Sequence, residues 1–485
     1  MLRWFRPVQL SKFIPPFRAF HRQSKTERRD FMMTQFGPPV NRSMTELDRS
    51  FFQKSATLLV ACFPDPSKLG QFVKECKKDI LYLPSVKHIV AVGSMKGVLL
   101  REDINDLETY KNKLSEKTTE KIKEFGILVK PYEFHMDYNF WRADDILRAV
   151  LPENLLDELP TGFAQAGHVA HINLREEFKP YGKLIGQVIL DKNSKVETVV
   201  DKVDTIDTQF RTFKMKVLAG RHDLVVEQSE SGCKFTFDFS KVYWNSRLST
   251  EHDRLISQFA PCSVVGDVFA GVGPFVVPAG KKNVFVLAND LNPESFKYLE
   301  YNIKANRTQD FVQSFNLDGR QFIRESPQLL LKWANEVKSV SQKKLIKKRK
   351  ISQDKPAEYK VTTFDIPKYI SNYVMNLPDS ALTFLDEFVS LYSRDPEVEK
   401  IVKEIPDFKL PIVNVHCFEK FSATEPEPPM EELHRRVHAK IVKLIDHALP
   451  FEECEFHLVR KVAPTKPMFC VTFTLPKDVV FRKVE

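Results

Sequence analysis

From about residue 263 to the C-terminal end, short apolar runs alternate with amphipathic stretches of crossover length. The spacing predicts strands at 263–269, 283–289, 311–317, 371–376 and 411–418, with helices at 274–280, 292–306, 319–335, 379–393 and 430–448 between and after them. Strands that alternate with helices in this way predict a doubly wound, mostly parallel sheet. Two final runs, 454–460 and 468–475, follow each other without a helix and predict a hairpin that adds an antiparallel strand at the far side. Upstream, ATLLVAC (56–62) and HIVAVGS (88–94) read as buried strands, with helical stretches at 67–80 and 104–124. From Tyr138 to about Asp201 the pattern gives helix, strand, helix, strand. The resulting division is an α+β domain over 50–137, a second over 138–234 and an α/β domain over 235–485.

Composition narrows the class. A chain of 485 residues exceeds the ~250–300 at which single cores stop growing. Hydrophobic residues at 42 % and charged residues at 28 % exclude a wholly disordered chain. No apolar run reaches the ~18 residues of a spanning helix, so no membrane partner is expected. Seven scattered cysteines without a CxxC pair read as reduced thiols, and no metal is expected. The absence of a heptad pattern leads us to expect a monomer.

The net charge of +9 is unevenly placed. Residues 1–26 hold Arg3, Arg6, Lys12, Arg18, Arg22 and Lys25 with no acidic residue, and their apolar positions are broken by Arg and Pro. This is the pattern of a mitochondrial presequence over 1–30, with a basic tail of no targeting role as the alternative. Six further basic residues fall within 343–350, inside an insertion at 337–362 that reads as an exposed loop, a nuclear-localisation signal or a phosphate contact. These two segments together carry more than the whole excess, so the remainder of the chain is slightly acidic. Any affinity for RNA then depends on locally placed Arg and Lys. The expected locations are the mitochondrial matrix together with nuclear and cytoplasmic pools.

Glycine is scarce, at 16 residues, which makes the cluster in SVVGDVFAGVGPFVV informative. Gly271 and Gly273 fall where a buried strand gives way to a helix, the turn at which a ligand approaches bare backbone. Pro274 breaks GxGxxG, which disfavours a nicotinamide-dependent dehydrogenase. The second strand ends in Asp290, where a carboxylate meets a ribose hydroxyl pair, and the third ends in Asp318-Gly319. Helix capping is the competing reading of both acids. The fourth strand ends in Asn376-Leu377-Pro378, which presents an amide at the sheet edge or caps the next helix.

Taken with HVAHINLREEFKPYGKLIGQVILDKN, FRTFKMKVLAG, KVYWNSRLSTEHDR, DVFAGVGPF, NDLNP, MNLP and VRKVAP, the chain resembles the tRNA (guanine-37 N1)-methyltransferase family of archaea and eukaryotes. That resemblance implies a class I methyltransferase fold behind smaller α+β RNA-binding domains, S-adenosyl-L-methionine as methyl donor, and tRNA as substrate. Onto its motifs fall Glu251 as general base, Arg211 as the O6-binding cation and Asn376 as the group orienting the base. Tyr243 and Arg247 match pocket positions; His252, Asp290, Leu291, Asp318, Gly319 and Asn376 match cofactor positions, beside Gly271 and Gly273 at the turn. Read without the resemblance, Glu251 is rather a first-turn helix residue and Arg211 a surface ion-pair partner. Two rivals are an aminocarboxypropyl transferase of the wybutosine pathway and a catalytically silent tRNA-binding protein.

Overall fold

In the computed structural model the apolar runs of the C-terminal half become seven strands: β1 (Val264–Asp267), β2 (Phe285–Asn289), β3 (Val312–Phe315), β4 (Asn372–Met375), β5 (Ile412–Phe418), β6 (Glu455–Ala463) and β7 (Lys466–Thr474). The structure describes residues 34–83, 86–203, 210, 212, 214–347 and 358–483. The expected leader, Arg211 and part of the basic run lie outside these residues.

The sheet order is β3-β2-β1-β4-β5-β7-β6. Strands β1 to β5 pair in parallel, and β7 runs antiparallel between β5 and β6. Helices Val276–Lys281, Pro293–Ala305 and Gly319–Val337 make the successive crossovers from β1 to β4. Period-2 alternation splits β1, β2 and β4 between two cores. Val264, Phe285, Leu287, Tyr373 and Met375 enter one, whereas Val265, Val286, Ala288 and Val374 enter the other. The order reverses direction between β1 and β4, and in sheets of this kind the ligand crevice opens beyond the strand ends at that switch.

Residues 162–182 and 193–483 belong to one unit with this sheet, and residues 34–161 with 183–192 form another. The expected boundaries at 138 and 235 do not mark these units. Ala166, Val169 and Val200, from a four-stranded sheet over Ala164–Gly220, share a buried cluster with Phe235, Val265 and Val286, so the two regions have one core. In the N-terminal unit a four-stranded antiparallel sheet places Lys54–Phe63 between Met95–Leu99 and Leu128–Met136, with Leu59, Ala61, Phe63, Phe72 and Val98 in its core. Helix residue Asp191 takes a bidentate pair from Arg49, and Lys192 donates to the Tyr138 carbonyl.

Several elements depart from the expectation. The predicted helix 104–124 breaks into Tyr110–Lys113 and Glu116–Glu124, because buried Asp79 accepts from both the backbone N–H (3.0 Å) and hydroxyl (2.6 Å) of Ser115 and pulls that residue extended. The predicted helix 379–393 is a 3₁₀ segment, Ala381–Phe388, followed by Ser390 at φ 61°. The insertion is not an open loop throughout. Ser339–Lys347 and Glu358–Asp365 form an antiparallel ladder whose Val340–Phe364 pair reaches the core. Helix Pro396–Glu404 was not anticipated, although Asp395 as N-cap and Pro396 at the first turn are a legible start signal. Among the described residues no helix is long and apolar enough to cross a membrane.

Candidate active site at the strand ends

Beyond the carboxyl ends of β1, β2, β3 and β4 lies a cavity of about 300 Å³, the lower end of the size range of small-molecule sites. Its wall includes Gly271, Asp290, Leu291, Asp318, Gly319, Asn376 and Tyr243, all expected at the site, together with Phe269, Phe384, Phe418 and Arg460.

The turn after β1 is built around one carboxylate. Gly271 adopts φ 56°, and a Cβ there would meet nothing within 4 Å, so this stretch of backbone is open to a ligand. Its N–H donates to Asp290 Oδ2 at 2.8 Å, and the N–H of Asn292 donates to Oδ1 at 2.9 Å. Burial nevertheless dominates and raises the Asp290 carboxyl to about 6. Next to it Asp267 is fully buried; desolvation and the neighbouring Asp290 push it to about 8, and its Oδ2 has no partner. Asn289 ties the strand ends together by donating to the carbonyls of Val268 and Leu317 and accepting from the N–H of Leu317.

Asp318 both lines the cavity and caps helix Gly319–Val337, accepting from Arg320 N–H at 2.8 Å, so capping and site roles coincide. Asp290 is not a helix cap; Asn292 fills that position for the following helix. A Cβ on Gly319 would stand 2.9 Å from the Phe269 ring and 3.2 Å from that of Phe384. Those rings meet edge to face at 5.0 Å, and the Arg320 guanidinium lies 5.1 Å from the Phe384 ring. Arg320 also grips Asp386 and Glu387, pinning the wall segment to the helix start. Across the cavity, the Oδ1 of Asn376 is buried without a partner. That oxygen is free to accept from a group that enters the cavity. Arg460 is the one cation in the wall among the described residues.

Other expected residues stand away from the wall. Gly273, at φ 99°, packs against Leu299, which a Cβ would approach to 2.9 Å; its bareness serves helix packing. His252 is buried with Nδ1 2.5 Å from Glu230 Oε1 and its ring edge on Phe275. Arg247 is exposed and does not line the cavity. Glu251 is 3 % exposed and does not line the cavity either. Arg254 donates to both of its oxygens at 2.7 and 2.8 Å, and His416 Nε2 lies 2.8 Å from Oε1. Burial opposes ionisation, yet the hydrogen bonds of Arg254 and His416 outweigh it and hold this carboxyl at about 2. Sequence spacing gave no sign of these partners, since His416 is far away along the chain. Phe384, Phe418 and Arg460 were equally hidden, though Arg460 belongs to the VRKVAP segment.

Comparison with known proteins gives this arrangement its family. The TYW2 N-terminal domain model matches residues 143–223, and the TRM5/TYW2 methyltransferase domain model matches residues 225–331. A tRNA (guanine(37)-N(1))-methyltransferase of Candida albicans is 58 % identical over 456 residues, covering 93 % of this chain and 100 % of the relative. The proteins of that name in Saccharomyces cerevisiae (48 %, covering 96 % and 99 %) and Schizosaccharomyces pombe (50 %, covering 91 % and 96 %) are similarly related. Among solved structures, Trm5b from Pyrococcus abyssi shares the fold with a TM-score of 0.53 at 21 % identity, over 86 % of this chain and 99 % of that one. With near full-length identity to several relatives of one name, and a class I methyltransferase sheet carrying its cavity at the switch point, the chain belongs to the tRNA (guanine(37)-N(1))-methyltransferase family.

Proposed function

We propose that this protein transfers the methyl group of S-adenosyl-L-methionine to N1 of guanine 37 in tRNA. The observation that carries this reading is identity of 48–58 % over nearly the whole of both chains to relatives bearing that activity in their names. The cavity fits the donor: open backbone at Gly271, the Asp290 carboxylate for ribose hydroxyls, and Leu291, Asp318 and Gly319 along the adjoining wall. When bound, the donor supplies an electrophilic methyl group on a sulfonium.

The residues of the chain do the rest. N1 of guanine holds its proton at neutral pH, so methylation requires a base and a partner for charge developing toward O6. Glu251 takes the proton, and Arg254 yields one oxygen as the guanine enters. Arg211 supports O6. The orphan Oδ1 of Asn376 accepts an N–H of the guanine and sets its orientation. Tyr243, 46 % exposed on the cavity rim, offers a ring for stacking, and Arg247 lies on the same segment. Because N1 is hidden in stacked RNA, the guanine is extruded into the crevice.

Purified protein, donor and unmodified tRNA followed by mass spectrometry of the nucleosides test the reading. A methyl adduct on N1 of guanine 37 is expected; an aminocarboxypropyl adduct, or none, overturns it. We further propose that residues 1–26 direct part of the protein to the mitochondrial matrix, checked by fusing them to a fluorescent reporter. The protein acts as a monomer, which sedimentation at working concentration checks.

A further inference from the structure

Four elements converge on the Glu251 carboxylate. Arg254 comes from its own helix, Ser249–Gln258, His416 from β5, Cys470 from β7 and His457 from β6. Sheet register explains the last three: Cys470 is directly paired with His416 on one side and with His457 on the other, so the three side chains form a row across one face of the sheet. His457 Nε2 stands 3.6 Å from Glu251 Oε2.

These neighbours differ in access to water. The side chains of His416 and Glu251 are 0 % and 3 % exposed, Cys470 is buried, and His457 is 41 % exposed. His416 Nδ1 has no partner, so a proton placed there has no onward path among the described residues. Cys470 is no competitor as a base, because burial pushes its thiol well above the ordinary value. A metal ion is disfavoured as well, since the Arg254 guanidinium occupies both carboxylate oxygens.

We infer that His457 is the outlet through which the proton collected by Glu251 reaches solvent. The inference rests on the reading of Glu251 as the base that deprotonates N1. As the new N1–CH₃ bond forms and the S–CH₃ bond of the sulfonium donor breaks, the N1 proton passes to Glu251, and the positive charge leaves the donor as its sulfur becomes a neutral sulfide. Glu251 then gives that proton to Nε2 of neutral His457, and His457 releases the proton on Nδ1 to water. One proton leaves per methyl transferred; Glu251 returns to its carboxylate, and His457 is left as the Nε2–H tautomer, which proton exchange with water at its exposed edge resets before the next turnover. An imidazole suits this position because its two ring nitrogens let it accept a proton on the Glu251 side and release one on the other.

His457 is a positioning and relay residue, since it reaches substrate only through Glu251. The test follows two signals in one turnover of the full chain with tRNA and S-adenosyl-L-methionine: methyl transfer by rapid quench, and proton release by an indicator dye in weak buffer. In the unaltered protein the two keep pace. In H457A, proton release lags methyl transfer by about tenfold or more, and free imidazole closes the gap. Release in step with transfer in H457A, or a lag that imidazole leaves untouched, overturns the outlet. H457Q, closer in size and unable to relay at neutral pH, shows the same lag if packing is intact. E251Q separates the two readings: wild-type methyl transfer in E251Q removes the base assignment itself, whereas loss in E251Q with synchronous release in H457A removes only the outlet.

Discussion

Asp290 and Glu251 show how burial alone does not decide the charge of a carboxyl group. Two backbone N–H donors leave Asp290 raised to about 6, whereas a guanidinium and an imidazole bring Glu251 down to about 2. Two predictions follow from that contrast. Donor affinity, measured by calorimetry, falls as pH drops below about 6, because a protonated Asp290 loses acceptor capacity for the ribose; D290N binds weakly at every pH. E251Q lowers the single-turnover methylation rate by about 100-fold or more while donor affinity is unchanged, because Glu251 is outside the cavity wall. Asp267 gives a stability prediction of definite sign. Its folded value near 8 exceeds the ordinary 3.8, so the folded protein keeps a proton that the unfolded chain loses. Its contribution to stability is therefore largest at low pH and declines as pH rises from about 4 to 8. Thermal melts of D267N against the unaltered, donor-free protein show that slope removed.

At the scale of elements, the site is assembled from strand ends, and the tolerances there are small. Gly266 in β1 faces Tyr373 of the adjacent β4; a Cβ would lie 2.9 Å from two ring atoms. Tyr373 cannot easily yield, being fully buried and bonded to Ser326 at 2.8 Å. G266A is expected to lose about 1–3 kcal/mol of stability in urea unfolding, the cost of overpacking. The turn, the two acids and Asn376 were legible because each sits at the end of a strand that the apolar pattern already delimits. Phe384 was less so: its segment looked helical, and only the grip of Arg320 on Asp386 and Glu387 shows why it is a wall. The Glu251 surroundings were invisible for a related reason, as pairing register across three strands created the His416–Cys470–His457 row.

Across the whole molecule, the division into units follows buried contacts more closely than chain order. Helix residues 183–192 belong with the N-terminal unit, to which Arg49–Asp191 and Lys192–Tyr138 bind them, although segments on either side belong to the other unit. Lys192 Nζ also lies 3.9 Å from the Tyr138 ring centroid. A fragment starting at residue 162 therefore keeps the catalytic sheet but strands Ile185, Val188 and Ile189, which are buried in the full chain. Size-exclusion chromatography is expected to show this fragment aggregated, and the full chain not.

By itself the sequence determined the succession of strands and crossovers, the terminal hairpin and the residues at the strand ends, because these follow from periodicity and from motifs contiguous in the chain. Family membership was legible in the same motifs. Tertiary structure decided which acids are charged, which glycines face a ligand and which face a helix, where the units divide, and what surrounds Glu251. Each of these depends on desolvation or contact between residues distant in the chain, and a linear pattern carries no measure of either.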